Sequence, residues 1–209
     1  MRILPRFGIP AAVLLIGVTT AAARVYMTQA DALAIAFPAP HDVERRTIYL
    51  DAAQVERTAA LAGGPVDSRV VPCYIGRLDG RIAGYAYFDT HLVRTLPETV
   101  MIVVDPDGSI RRIDILSFEE PPDYLPGERW LQQFPGRELG PGLALNQQIR
   151  AVTGATLSSR AITQAVRRSL AIHRLWIVGS AEKPAAAPPA ATTPPATALP
   201  PTSGPGARP

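Results

Sequence analysis

Thr99-Val100-Met101-Ile102-Val103-Val104-Asp105-Pro106-Asp107-Gly108-Ser109-Ile110-Arg111-Arg112-Ile113-Asp114-Ile115-Leu116 reads as a β-hairpin. Thr99–Val104 and Ser109–Leu116 are rich in β-branched residues, and Asp105-Pro106-Asp107-Gly108 between them has turn chemistry. Proline presets one backbone angle, aspartate bonds its own backbone, and glycine accepts a positive φ. A second unit of the same kind lies upstream, where Val70–Arg77 and Arg81–Phe88 flank Leu78-Asp79-Gly80. Two consecutive hairpins predict one antiparallel sheet.

Working outward, helical signals surround the sheet. Thr28 is placed to cap a short helix over Gln29–Phe37, which Pro38 and Pro40 end. Arg46–Leu50 alternates weakly as a strand. Asp51 is placed to cap Ala52–Leu61, closed by Gly63-Gly64. A proline-rich loop, Glu119–Gly127, leads to a short helix over Glu128–Phe134 with Trp130, Leu131 and Phe134 on one side. Farther on, Ile162, Ala165, Val166, Ser169, Leu170 and His173 repeat at helical spacing within Leu157–Leu170 and just beyond it. Arg160, Arg167, Arg168 and Arg174 fall largely on the other faces. The predicted class is α+β, an antiparallel sheet from two consecutive hairpins packed with helices.

The chain has 209 residues, 47% hydrophobic and 19% charged, enough for one ordinary domain plus tails. A net charge of +3 without a Lys/Arg run does not suggest a nucleic-acid partner. The one cysteine, Cys73, is expected as a half-buried strand residue. Residues 1–23 are expected to be a signal peptide or membrane anchor. Arg2 and Arg6 precede the apolar Phe7–Val18, and Ala21 and Ala23 form a small-residue cleavage pattern. Cleaved or not, such a segment puts the chain beyond Arg24 outside the cytoplasm, periplasmic or membrane-anchored. The remaining regions are an N-terminal helix and strand segment (24–68), the main domain (69–179) and a Pro/Ala-rich tail (180–209) expected to be disordered.

Thr153-Gly154-Ala155-Thr156-Leu157-Ser158-Ser159 is the most chemically specific stretch. It delivers the Thr156 hydroxyl at a helix entrance, where free N–H groups and the helix dipole favour an anion such as phosphate. Gly154 and Ala155 let a bulky group approach the backbone, and Ser158 and Ser159 carry hydroxyl donors. Read without further context, Thr156 or Ser158 would serve as a helix cap.

Thr153-Gly154-Ala155-Thr156 resembles the flavinylation motif of the FMN-binding domain family. That family includes the flavin subunits of sodium-pumping NADH:quinone oxidoreductase and of Rnf electron-transport complexes. The family pattern is Asp-x-x-(Ser/Thr)-Gly-Ala-Thr, and this chain has Arg150 at the acidic position. A His-x-Glu-Thr-Pro-Gly loop of the family is matched by Phe118-Glu119-Glu120-Pro121-Pro122-Asp123, which keeps Glu120 and Pro122. The likeness runs from about Gly76 to His173.

The resemblance implies FMN joined by a phosphoester to Thr156, placed there by a flavin transferase, and a membrane or periplasmic redox partner. It implies an electron-transfer module more than a stand-alone enzyme. The implied contacts are Thr153, Gly154, Ala155, Leu157, Ser158, Ser159, Glu120 and Tyr124, with Tyr124 beside the ring. Backbone N–H groups of Thr95–Thr99 are a further candidate. Arg150 leaves open a non-flavinylated or non-covalent FMN-binding module at the cell envelope. An exported structural protein with a spacer tail is the third reading.

No catalytic residue and no metal site are expected. His41, His91 and His173 lack metal-ligand spacing, and Asp89-Thr90-His91 reads as a polar strand end. Glu119 and Glu120 are adjacent, so their side chains point apart and do not form a catalytic pair.

Overall fold

The computed structural model describes residues 24–178. The expected leader and the expected tail from 180 onward lie outside the described residues. Strands β1 (Arg24–Val25), β2 (Asp42–Tyr49), β3 (Val70–Leu78), β4 (Arg81–Leu92), β5 (Pro97–Val104) and β6 (Ile110–Phe118) form one sheet. Its order is β1-β6-β5-β4-β3-β2, with every neighbouring pair antiparallel. The last five strands are therefore a simple meander, and β1 closes the far edge. Both predicted hairpins are present. Asp79 and Gly80, at φ 52° and 74°, make the two-residue turn whose twist matches the flanking strands. Gly108 at φ 90° closes the second turn.

Helices cover both faces, so the fold is α+β as expected. Helix α1 (Gln29–Ala36) packs on one side, where Ala32, Ala36 and Phe37 meet Ala86, Met101, Val103 and Leu116. Helix α2 (Ala52–Ala62), the short α3 (Glu128–Leu131) and the long α4 (Thr156–Ile172) serve the other side. There Ile162, Ala165, Val166 and Leu170 of α4 join Ile75, Tyr87, Val100, Ile102 and Val104. Strand β5 is sealed on both faces: Val100 to Val104 are all 0% exposed. This explains its unbroken apolar run, which a half-exposed strand would not tolerate.

Thr28 and Asp51 cap α1 and α2 as predicted, each in a reciprocal capping box with the residue three places on. Gly63, at φ 71°, ends α2 in the left-handed conformation.

Several details differ from the expectations. Strand β2 begins at Asp42 instead of Arg46. Its first five residues are exposed, so no alternation marks them, yet they pair fully with β3. Through β2 and α2, residues 24–68 share the sheet and core of the main domain. The helix expected over Glu128–Phe134 stops at Leu131, ahead of Pro135, although Phe134 still reaches the core at 0% exposure. Cys73 is wholly buried. Two of the arginines placed on outer faces are in fact engaged: Arg167 donates to the carbonyls of Ala62, Gly140 and Leu143, and Arg168 pairs with Asp89. The flanks of α4 are covered by neighbouring segments, so only part of its polar side meets water.

The Phe37 ring at the end of α1 lies against the backbone of Gly76 in β3, at the position of a β-bulge. A methyl group at Gly76 would overlap that ring, which is buried and cannot swing away. Gly76→Ala is expected to cost ~1–3 kcal/mol. Urea unfolding checks this as a lower midpoint at an unchanged slope.

Candidate functional site

The entrance of α4 differs from those of α1 and α2. Its N-cap is Ala155, which supplies no side-chain cap. The first bond back into the turn is Ser159 N–H to the Ala155 carbonyl, 2.9 Å. The N–H groups of Thr156, Leu157 and Ser158 thus meet no acceptor among the described residues, and all three point out of the helix end. Gly154 precedes them at φ 86° with nothing within 4 Å of where a side chain would begin. That conformation suits glycine and strains other residues. Thr156 is the first helical residue and not the cap. Its Oγ1 is exposed and donates to the Val152 carbonyl at 3.2 Å, leaving the oxygen lone pairs open to solvent.

A depression of about 130 Å³ opens at this point, lined by Arg94, Tyr124 and Gly154–Ser158. It gathers three distant segments: the β4–β5 turn, the proline-rich loop and the α4 entrance. Thr153 and Leu157 are exposed, and Leu157 at 46% is not a core residue. Tyr124 is half-buried, with the Arg94 guanidinium 5.0 Å above its ring centroid. Ser158 Oγ donates to the Tyr124 carbonyl at 2.6 Å, tying loop to helix. Ser159 is 0% exposed, and its Oγ lies inside the domain without a partner among the described residues. A much larger hollow, about 850 Å³ along β6 between α1 and α3, shares no lining residue with this depression.

Glu120 takes a different position from the one its motif suggested. Its Oε1 accepts the N–H groups of Arg94, Thr95 and Leu96 at 3.2, 2.8 and 3.0 Å, and the Thr95 hydroxyl at 3.4 Å. These backbone bonds, that from Thr95 foremost, hold its carboxyl below the usual carboxylate range. Within the Thr95–Thr99 stretch, the N–H groups of Thr95 and Leu96 are thus already bound to Glu120. Arg94 was missed by sequence reasoning. A lone arginine in a turn carries no local signal, and only folding brings it to Tyr124.

The position that departs from the motif is held by its backbone. Trp130 Nε1 donates to the Arg150 carbonyl at 2.6 Å, and Arg150 N–H donates to Gln133 Oε1 at 2.9 Å. The Arg150 side chain is exposed. The short aromatic helix therefore anchors the segment leading to Thr156 without using the identity of residue 150.

Residues 96–171 match the FMN-binding domain family. Over 142 residues the chain is 27% identical to a subunit of the Na(+)-translocating ferredoxin:NAD(+) oxidoreductase complex of Acetobacterium woodii. That match covers 59% of this chain and 65% of the relative's length. The resemblance seen in the motifs is thus a resemblance across residues 96–171, which are similar to an FMN-binding domain. It includes Glu120, Tyr124 and the whole α4 entrance, and it leaves out Arg94.

Beneath the same β4–β5 turn lies a buried charge cluster. His91 bridges Asp89 (Nδ1 to Oδ1, 2.9 Å) and Glu98 (Nε2 to Oε2, 3.2 Å), and Arg168 of α4 grips Asp89 with two nitrogens at 2.7 and 3.0 Å. The cluster joins the sheet to the helix and has the structural role expected of the Asp89-Thr90-His91 stretch. Burial alone would lower the His91 pKa, but the bonds to Asp89 and Glu98 outweigh it and raise it above 6.5. Burial also pushes Glu98 up, against the pull of His91. Asp89 ends below its ordinary value because His91 and Arg168 overcome its desolvation.

The sign of the resulting pH effect is fixed. A histidine whose pKa is raised by folding contributes stability below its unfolded value, and loses it as pH rises through the folded value. Glu98 acts in the same direction from a lower starting pH, and Asp89 matters only in strong acid. Thermal stability is therefore expected to fall as pH rises from about 6.5 through the folded His91 value. His91→Gln should flatten that part of the profile, as followed by circular dichroism melts.

Proposed function

We propose that this chain is an exported flavoprotein electron carrier, with FMN held by a phosphoester on Thr156. It would pass electrons within an extracytoplasmic or membrane redox chain. The observation that carries this reading is the α4 entrance. An FMN-binding segment places an exposed hydroxyl among three unshared N–H groups at the positive end of a seventeen-residue helix. The fold builds a capping box on each of two other helices and none on this one. A phosphate monoanion is the group that such an entrance receives best, through charge-assisted bonds to backbone N–H groups.

Attachment at Thr156 would form an Oγ1–phosphorus bond and break the pyrophosphate P–O bond of a flavin dinucleotide donor; the nucleoside monophosphate leaves and the flavin transferase takes up the hydroxyl proton. Gly154 leaves the approach open. When bound, FMN supplies one- and two-electron chemistry. Leu157 and Tyr124 offer apolar surface beside the attachment point for the ring. A tether prevents loss of a cofactor that cannot be replaced outside the cytoplasm. It also keeps the ring at high local concentration near its seat.

Export rests on the Arg2–Ala23 sequence pattern, and no described helix is long and apolar enough to cross a membrane. The relative is a subunit of an oxidoreductase complex by name, which supports a membrane redox partner for this chain.

Arg150 favours a second reading, a domain that binds FMN without the covalent bond. A cation there replaces an acid in the segment a transferase would recognise. One experiment separates the two. The full chain is produced with a flavin transferase and run on a denaturing gel under flavin fluorescence, with intact mass measured alongside. One FMN per chain is expected, lost in Thr156→Ala and kept in Thr153→Val. Fluorescence surviving in Thr156→Ala overturns the assignment. A dark wild-type band that Arg150→Asp makes fluorescent, with FMN retained by the undenatured wild-type chain on gel filtration, establishes the second reading. Gly154→Ala is expected to strain the turn by ~1–2 kcal/mol and to lower the flavinylated fraction in the same assay.

A further inference from the structure

We propose that Arg94 is the phosphate-recognition residue of this site, and that Glu120 is its positioning residue, not a cofactor contact. The proposal rests on the reading of Thr156 as the FMN attachment point and identifies what receives the phosphodiester charge.

Among the described residues, Arg94 is the only charged one lining the depression at the α4 entrance. It makes no close ion pair among the described residues, although its charge helps hold the neighbouring Glu120 carboxyl ionised. Its guanidinium carbon instead lies over the Tyr124 ring, 5.0 Å from the centroid. No hydrogen bond of the Arg94 side chain is formed among the described residues, so the guanidinium keeps its N–H donors while its charge rests over the ring. Arg94 and Thr156–Ser158 line the same hollow. Arg94 lies two residues before the segment that matches the FMN-binding domain, so neither motif nor family match assigns it a role.

Glu120 makes the arrangement rigid. A turn tip that is exposed at Arg94 and Thr95 would otherwise leave the guanidinium wandering. One carboxylate oxygen instead collects three consecutive N–H groups, those of Arg94, Thr95 and Leu96. The bonds fix the turn to the proline-rich loop that carries Tyr124. Tyr124 is fixed in turn to α4 through its carbonyl and Ser158 Oγ. The guanidinium, the ring and the helix entrance are thus held as one unit. The negative charge of Glu120 does not repel an arriving phosphate as a bare carboxylate would, because these donors already satisfy it.

The test is phosphorus NMR of the full flavinylated chain, comparing the native protein with the same protein in denaturant. The wild-type phosphodiester resonance is expected to be displaced from its denatured position. Arg94→Gln is expected to lose most of that displacement, and Arg94→Lys to keep part of it. Glu120→Gln, with Arg94 intact, is expected to lose it too, because the turn is released. A native resonance at the wild-type position in Arg94→Gln overturns the role of Arg94 while leaving the Thr156 attachment standing. The same result in Glu120→Gln overturns the positioning role. A wild-type chain bearing no flavin overturns the attachment itself and the proposal with it. Arg94 is exposed, so its variants report on the site without a threat to folding.

Discussion

The burial of α4 is the constraint on which the rest of the molecule depends. Ten of its seventeen residues are buried, and they interlock with a sheet whose central strand is sealed on both sides. A helix held this way cannot slide by a turn or rotate by a residue without exposing Ile162, Val166 and Leu170 or opening a cavity. Arg168 on Asp89 and Arg167 on three carbonyls lock its flanks. The position of Thr156 is therefore set by hydrophobic packing along the helix, while the chemistry at its tip is left open. Stability and chemistry occupy different ends of one element.

Around that tip, polar groups are divided between those that bind the protein and those that remain available. Ser158 binds the loop, Glu120 binds the turn, and Trp130 and Gln133 bind the backbone of Arg150. Each of these bonds commits a side chain to holding a neighbouring segment in place. What is left over is the Thr156 oxygen, three helix N–H groups and one guanidinium. Such a division is what a preorganised anion site requires, since donors already in place need no rearrangement when the charge arrives.

The parts of this structure that depend on neighbours in sequence were legible in advance. Asp79-Gly80 and Asp105–Gly108 announce their turns, Thr28 and Asp51 their caps, and the spacing of Ile162, Ala165 and Val166 the buried side of α4. The Thr-Gly-Ala-Thr stretch was legible for the same reason, as a local turn followed by a helix. What could not be read depends on contacts across the fold. Glu120 carries a family-like motif, but its partners are 24 to 26 residues away. Arg94 meets Tyr124 thirty residues on, and a single exposed arginine has no pattern. The early residues of β2 are polar because the strand lies at an edge, where hydrogen bonds and not burial define it.

Cys73 has a further consequence. It is wholly buried, in contact range of Tyr87, and burial pushes its thiol pKa up to about 11. A thiolate is the form that attacks disulfides and reacts with oxidants. At neutral pH this chain presents essentially none. With the flavin proposed at the α4 entrance, no reactive thiolate of the same chain would stand ready to divert its electrons. An oxidising compartment would likewise find no handle for cross-linking two copies. The fold thus keeps the chain silent in thiol chemistry.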